Sequence, residues 1–215
     1  MRQHGLLHAI FAGLMMLVAA APAMAQGERP LRIVALGDSL TAGYGLSSPA
    51  AFPAQLEAAL KARGHNVEIV NAGVSGDTAA GGLERLDWSV GEGVDGVILE
   101  LGANDMLRGV DPAATKRSLE TIVQRLKGRN IPVLMAGMLA SRNLGPDYAA
   151  RFDAIYPDIA KAHGLVLYPF FLDGVAGQRN LNLADGIHPN PEGVKVIVER
   201  MLPTVERFIA SLRPA

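Results

Sequence analysis

A serine hydroxyl becomes a nucleophile only where a base takes its proton and a third group holds that base in place. The sequence has five histidines. Two of them, His4 and His8, fall in an N-terminal stretch that reads as a removable leader. His65 follows Gly64 and His163 precedes Gly164, each in a helix-to-strand turn. Both are expected at the N-terminal edge of a sheet as capping or solvated residues. His188 lies in Asp185-Gly186-Ile187-His188-Pro189-Asn190, with a carboxylate three residues upstream. That spacing lets Asp185 fold back in a turn, accept the Nδ1–H and leave Nε2 free. A loop histidine beside a turn aspartate is also a common structural pairing. The serine in question is Ser39, which follows the apolar, β-prone run Leu31-Arg32-Ile33-Val34-Ala35-Leu36 and the stop Gly37-Asp38. Ligands of open α/β sheets bind beyond the carboxyl ends of strands. A serine there is still, by itself, most often a turn residue or helix N-cap.

Acyl transfer also needs donors aimed at a developing oxyanion. Three candidates stand at strand ends: the Ser39 backbone N–H, Gly76 in Ser75-Gly76-Asp77, and the Asn104 amide in Gly102-Ala103-Asn104-Asp105. Glycine allows close backbone approach, and each position also suits plain turn chemistry. The G-x-S-x-G elbow of α/β-hydrolases is missing, because position 41 is Thr.

The elements that must position these residues alternate strand and helix five times. Strands are expected at 31–36, 67–71, 96–101, 131–138 and 165–168. Helices are expected at 49–63, after Thr78 through Trp88, from Asp111-Pro112 to Gly128, at 146–163 with a break near Pro157, and at 192–212. This pattern implies a five-stranded parallel sheet with helices on both faces and right-handed crossovers. The turns bearing Ser39, Gly76 and Asn104 then share one sheet edge. A loop of about 20 residues, 169–191, returns to that edge, and loops of this length are more often functional than idle. Asp38 is expected to brace the serine turn, Asp77 and Asp105 to cap the following helices, and Glu100 to find a structural hydrogen bond. Leu107, Met138, Leu139 and Leu144 lie after strand ends and suit an acyl-binding groove or ordinary packing.

The whole chain has 215 residues and a formal charge of −1. Residues 1–25 combine Arg2, the apolar run 9–20 and the small-x-small ending Ala23-Met24-Ala25, the features of a cleaved signal peptide. The apolar run is short of the roughly 18 residues of a spanning helix. Residues 26–215 then form one domain of charge −2, since the leader contributes only Arg2 among charged side chains. There is no basic field for nucleic acid. There is no cysteine, hence no disulfide, thiolate nucleophile or thiolate metal site. A soluble periplasmic or secreted protein is expected.

Four blocks in order resemble the SGNH (GDSL-type) hydrolases: Gly37-Asp38-Ser39-Leu40, Asn71 to Thr78, Gly102-Ala103-Asn104-Asp105, and Asp185-Gly186-Ile187-His188-Pro189. The resemblance covers essentially all of residues 26–215. Leu99 to Asp105, Leu107-Arg108-Gly109 and Ile155-Tyr156-Pro157 are similar to the periplasmic acyl-CoA thioesterase, arylesterase and lysophospholipase group. The resemblance implies a flavodoxin-like, three-layer α/β/α sandwich and a Ser39-His188-Asp185 triad. It implies an oxyanion hole of Ser39, Gly76 and Asn104, with that role aligned to Gly76 rather than Gly73. It implies action on small acyl esters or thioesters, with no cofactor and no metal, and a monomer is expected. A carbohydrate O-acetylesterase, a metal-dependent phosphoesterase using Asp38, Asp105, Asp185 and His188, and a non-catalytic exported binding domain are the competing readings.

Overall fold

The computed structural model describes residues 29–212. The expected signal peptide lies outside the described residues. Among them, no helix is long and apolar enough to cross a membrane.

Five strands form one parallel sheet in the order β2-β1-β3-β4-β5: β1 Leu31–Gly37, β2 Val67–Gly73, β3 Gly96–Glu100, β4 Val133–Ala136 and β5 Val166–Tyr168. β3 and β4 are buried along their whole length, as expected of strands covered on both faces. On one face α2 (Phe52–Ala62) packs against α9 (Pro191–Leu212). On the other, α6 (Pro112–Gly128) packs against α3 (Ala79–Glu84) and α8 (Ile155–His163). The result is a three-layer α/β/α sandwich of flavodoxin-like strand order. Its core runs from Ile33, Leu36, Ile98 and Leu99 in the sheet to Leu56, Leu119, Phe152 and Phe208 in the helices.

Register aligns the strand ends. Gly37 pairs with Gly73 and with Glu100, Glu100 with Ala136, and Ala136 with Tyr168. The segments that begin at residues 38, 74, 101, 137 and 169 therefore all leave one edge. The order reverses between β1 and β3, the point where α/β sheets open a crevice.

Several local expectations are refined. Asp111 accepts from the Ala113 N–H at 3.2 Å with Pro112 next, so α6 starts where its caps indicate. The helix expected at 146–163 is two, α7 (Pro146–Asp153) and α8, meeting at Ala154. Pro157 lacks the N–H that would bond the Asp153 carbonyl, so the break falls one turn before the proline. The helix expected after Thr78 is also two, α3 and α4 (Leu86–Ser89). The segment 49–63 opens with a 3₁₀ turn, Ser48–Ala50, and becomes α-helical only at Phe52. The strands expected at 131–138 and 165–168 shorten to β4 and β5.

The long loop is not structureless. It carries a 3₁₀ turn, Arg179–Leu181, and an antiparallel bridge between Asn182 and Pro189. The Leu183 N–H donates to the His188 carbonyl at 2.7 Å, closing residues 183–188 into a tight excursion. Asn190 Oδ1 then caps α9, accepting from the N–H groups of Glu192 and Gly193. A Cβ at Gly193 would lie 2.1 Å from the Leu181 carbonyl oxygen, so only glycine lets α9 start against this loop.

Candidate active site

Ser39 opens α1 (Ser39–Ala42), a single turn just past β1. Asp38 is its N-cap, with Oδ1 accepting the Leu40 N–H at 3.0 Å. The Ser39 hydroxyl lies 2.9 Å from His188 Nε2. His188 Nδ1 lies 2.7 Å from Asp185 Oδ2. A carboxylate only accepts, so Nδ1 carries the proton and Nε2 accepts from the Ser39 hydroxyl. Asp185 Oδ1 takes the backbone N–H groups of Ile187 and His188, both at 3.0 Å. Those two bonds, with the His188 ring bond, hold Asp185 at a pKa of about 2, so it is ionised throughout the neutral range.

Asn104 stands in α5 (Ala103–Leu107), and one of its amide N–H groups donates to Asp38 Oδ2 at 3.1 Å. Its turn is propped from below: the buried Tyr156 hydroxyl donates to the Leu101 carbonyl at 2.9 Å. A Cβ at Gly102, whose φ is +117°, would meet that hydroxyl at 2.2 Å. Gly76 adopts φ +87° in the turn after β2, and its carbonyl accepts from Arg108 at 2.7 Å. Among the described residues, neither the Ser39 N–H nor the Gly76 N–H meets an acceptor.

A cleft of about 420 Å³ opens beside Ser39, His188 and Asn104. Leu40, Met106, Leu107, Met138, Leu139 and Phe170 give it an apolar lining. Three of the four expected groove residues thus line it. Leu144 does not: it ends the 3₁₀ turn Arg142–Leu144 and is 37 % exposed outside the cleft. Gly76 also stands outside the lining. Asp77 and Asp105 do not cap the helices that follow them. Thr78 caps α3, while Asp77 pairs with Arg85. Asp105 accepts from the Ala79 N–H (2.8 Å) and the Thr115 hydroxyl (3.0 Å), tying the Asn104 turn to α3 and α6. Glu100 finds the structural bond expected of it, from the Thr41 hydroxyl at 2.8 Å. His65 and His163 face Glu206 and Glu120, far along the chain from the serine. Asp38, Asp105, Asp185 and His188 do not converge: among the described residues, no three metal-ligating side chains gather.

Two contributors carried no signal in the sequence. Tyr44 covers the His188 ring, centroid to centroid 4.5 Å and tilted by 35°. Its backbone N–H donates to the Ser39 carbonyl at 3.1 Å, so the turn that carries Ser39 also delivers the ring. Arg85, largely buried, donates to the carbonyls of Gly37 (2.8 Å) and Ala72 (2.9 Å) and to Asp77, bracing the ends of β1 and β2.

A serine hydroxyl, an imidazole and a carboxylate hydrogen-bonded in sequence at the open edge of a flavodoxin-like sheet have the arrangement of a serine hydrolase. Comparison with known proteins narrows the class. Residues 35–196 match the GDSL-like lipase/acylhydrolase family. The chain is 37 % identical over 178 residues to "Esterase TesA" of Pseudomonas aeruginosa, covering 82 % of this chain and 89 % of that protein. It is 36 % identical over 178 residues to "Thioesterase 1/protease 1/lysophospholipase L1" of Escherichia coli K12, covering 82 % and 84 %. The solved structure of AlinE4, described as an SGNH-hydrolase family esterase, superposes with a TM-score of 0.71 at 43 % identity, covering 89 % of this chain and all of that one. The chain belongs to the GDSL-like lipase/acylhydrolase family and is an ester hydrolase.

Proposed function

We propose that Ser39, His188 and Asp185 form the catalytic triad of an esterase for apolar acyl groups, aryl esters and acyl thioesters included. The observation that carries this reading is the unbroken chain Asp185–His188–Ser39, at 2.7 and 2.9 Å, facing an apolar cleft. Ser39 Oγ attacks the acyl carbonyl carbon as its proton moves to His188 Nε2. Asp185 stabilises the imidazolium that forms. The backbone N–H groups of Ser39 and Gly76 and the Asn104 amide hold the oxyanion. Collapse of the tetrahedral intermediate expels the alcohol or thiol, protonated from Nε2. Water, deprotonated by the same nitrogen, then attacks the acyl-enzyme and releases the acid and free Ser39.

Leu107, Met138 and Leu139 would hold the acyl chain. A cleft of about 420 Å³ exceeds what an acetyl group fills, which favours a longer acyl chain over carbohydrate O-acetyl groups. The relatives' names, esterase and thioesterase/lysophospholipase, support the same substrate range. The signal-peptide features of residues 1–25 support export to the periplasm or beyond the cell. The test is covalent labelling of Ser39 by an organophosphonate, with turnover of p-nitrophenyl esters and acyl-CoA across chain lengths. Ser39→Ala is expected to lose both label and turnover while unfolding like wild type. Unchanged turnover in that variant rejects the triad.

A further inference from the structure

Two carboxylates lie buried side by side beneath the nucleophile turn, outside the Ser39–His188–Asp185 chain. Asp38 is 0 % exposed and Glu100 1 %. Glu100 reaches Asp38 from the end of β3. Asn104 and Asp105 face it from α5, His188 from the loop after β5, and Tyr156 lies near it from α8. The packing is close: a Cβ at Gly37 would meet Thr41 Oγ1 at 2.1 Å and Glu100 Oε2 at 2.7 Å.

Two adjacent carboxyl groups sealed from water do not both ionise. Their partners decide which one does. Asp38 accepts the Leu40 N–H at 3.0 Å and the Asn104 amide at 3.1 Å, and both bonds favour a carboxylate. Glu100 Oε2 accepts the Thr41 hydroxyl at 2.8 Å and a long contact from the Asp38 N–H at 3.4 Å, and the Thr41 backbone N–H also faces this carboxyl. Glu100 Oε1 is buried and has no partner among the described residues. A bare oxygen is tolerable on a neutral acid and very costly on an anion.

We propose that Glu100 is held as a neutral acid, leaving Asp38 as the single buried anion that orients the Asn104 amide toward the oxyanion. The proposal rests on the serine-esterase reading above. A carboxylate only accepts hydrogen bonds, so only the NH₂ end of Asn104 can face it. One N–H is spent on Asp38, which fixes the amide plane and leaves the second free for the cleft that Asn104 lines. A neutral Asp38 tolerates either end of the amide. Asp38 is thus a positioning residue for an oxyanion donor, and Glu100 is the group that keeps its charge single. Burial pushes Asp38 up to about 6 and raises Glu100 well above the ordinary carboxylate range, so acid neutralises Asp38 and frees the amide to turn.

Isotope-edited infrared spectroscopy above neutral pH tests the protonation state without reference to turnover. Wild type should show a protonated carboxyl band that Glu100→Gln removes; its absence from wild type overturns the proposal. A double-mutant cycle tests the positioning role. Asp38→Asn should lower kcat by on the order of 10²-fold with little change in KM, and flatten the acidic limb of log kcat against pH. If Asp38 acts through Asn104, the double variant with Asn104→Ala loses no more than Asn104→Ala alone. Additive losses, or an effect confined to KM, refute it. Should Asp38→Asn fail to fold, the infrared band still decides the Glu100 half. Turnover that survives Ser39→Ala would reject the esterase mechanism and leave the infrared result standing.

Discussion

Asp185→Asn should be at least as damaging as Asp185→Ala, although it is the more conservative change. In the wild type, Asp185 Oδ1 holds two backbone N–H groups and Oδ2 holds the His188 ring. An asparagine has one carbonyl oxygen for these three donors. Placing that oxygen at Oδ1 keeps two bonds; placing it at Oδ2 keeps one and sets the NH₂ group against two N–H groups. With the NH₂ group also donating to Nδ1, the first arrangement wins by about two hydrogen bonds, about 2 kcal/mol, or roughly 30-fold in population. It presents NH₂ to Nδ1, which must then accept, so the proton moves to Nε2. Nε2–H donates and cannot take the Ser39 proton. Loss of the charge that stabilises the imidazolium adds to this, and kcat should fall on the order of 10²–10⁴-fold. Asp185→Ala loses the charge without enforcing the wrong tautomer. The assay is kcat on a short p-nitrophenyl ester, with phosphonate labelling of Ser39 as a second readout. An Asp185→Asn variant within tenfold of wild type, or far more active than Asp185→Ala, refutes the tautomer argument.

Tyr44→Ala removes the ring over His188 and should lower kcat by about 2- to 12-fold, the worth of an aromatic contact of roughly 0.5–1.5 kcal/mol, with Tyr44→Phe close to wild type. Equal losses in both variants would assign the effect to the hydroxyl instead. Stability against pH should show two opposed carboxylates. Asp38 has a raised folded value, about 6 against 3.8, so the native state binds more protons and acidification from pH 6 toward 3.8 stabilises the fold. Asp185 has a lowered one, about 2 against 3.8, so its contribution is present above 3.8 and is lost as pH falls through about 2. The full Asp185 shift corresponds to about 2.4 kcal/mol, which its 37 % exposed side chain reduces to about 1 kcal/mol. Chemical denaturation of wild type, Asp38→Asn and Asp185→Asn across pH separates the two, and an Asp38→Asn curve that matches wild type above pH 3.8 refutes the first. Arg85→Met strands Asp77 and two strand-end carbonyls, so it should cost about 3–5 kcal/mol and lower Tm by about 6–20 °C, measured by calorimetry.

What the sequence determined by itself was local. Apolar runs marked the strands, and Asp111-Pro112 marked the start of α6, because capping and periodicity act within about four residues. The Asp185–His188 turn was legible for the same reason, its partners being three residues apart. The four ordered blocks pointed to Ser39 and His188 as the pair to look for. Tertiary structure decided what depends on register and burial. Ser39 and His188, 149 residues apart, meet only because the strand ends align at one edge. The exit of Leu144 from the cleft follows from packing between segments, whereas the break at Ala154 is the local effect of Pro157. Tyr44 and Arg85 had no local pattern to betray them, since each acts on residues that are neighbours only in the folded chain. The protonation of the Asp38–Glu100 pair is likewise invisible in one dimension: it is set by the depth to which β1 and β3 bury two side chains whose positions are 62 apart.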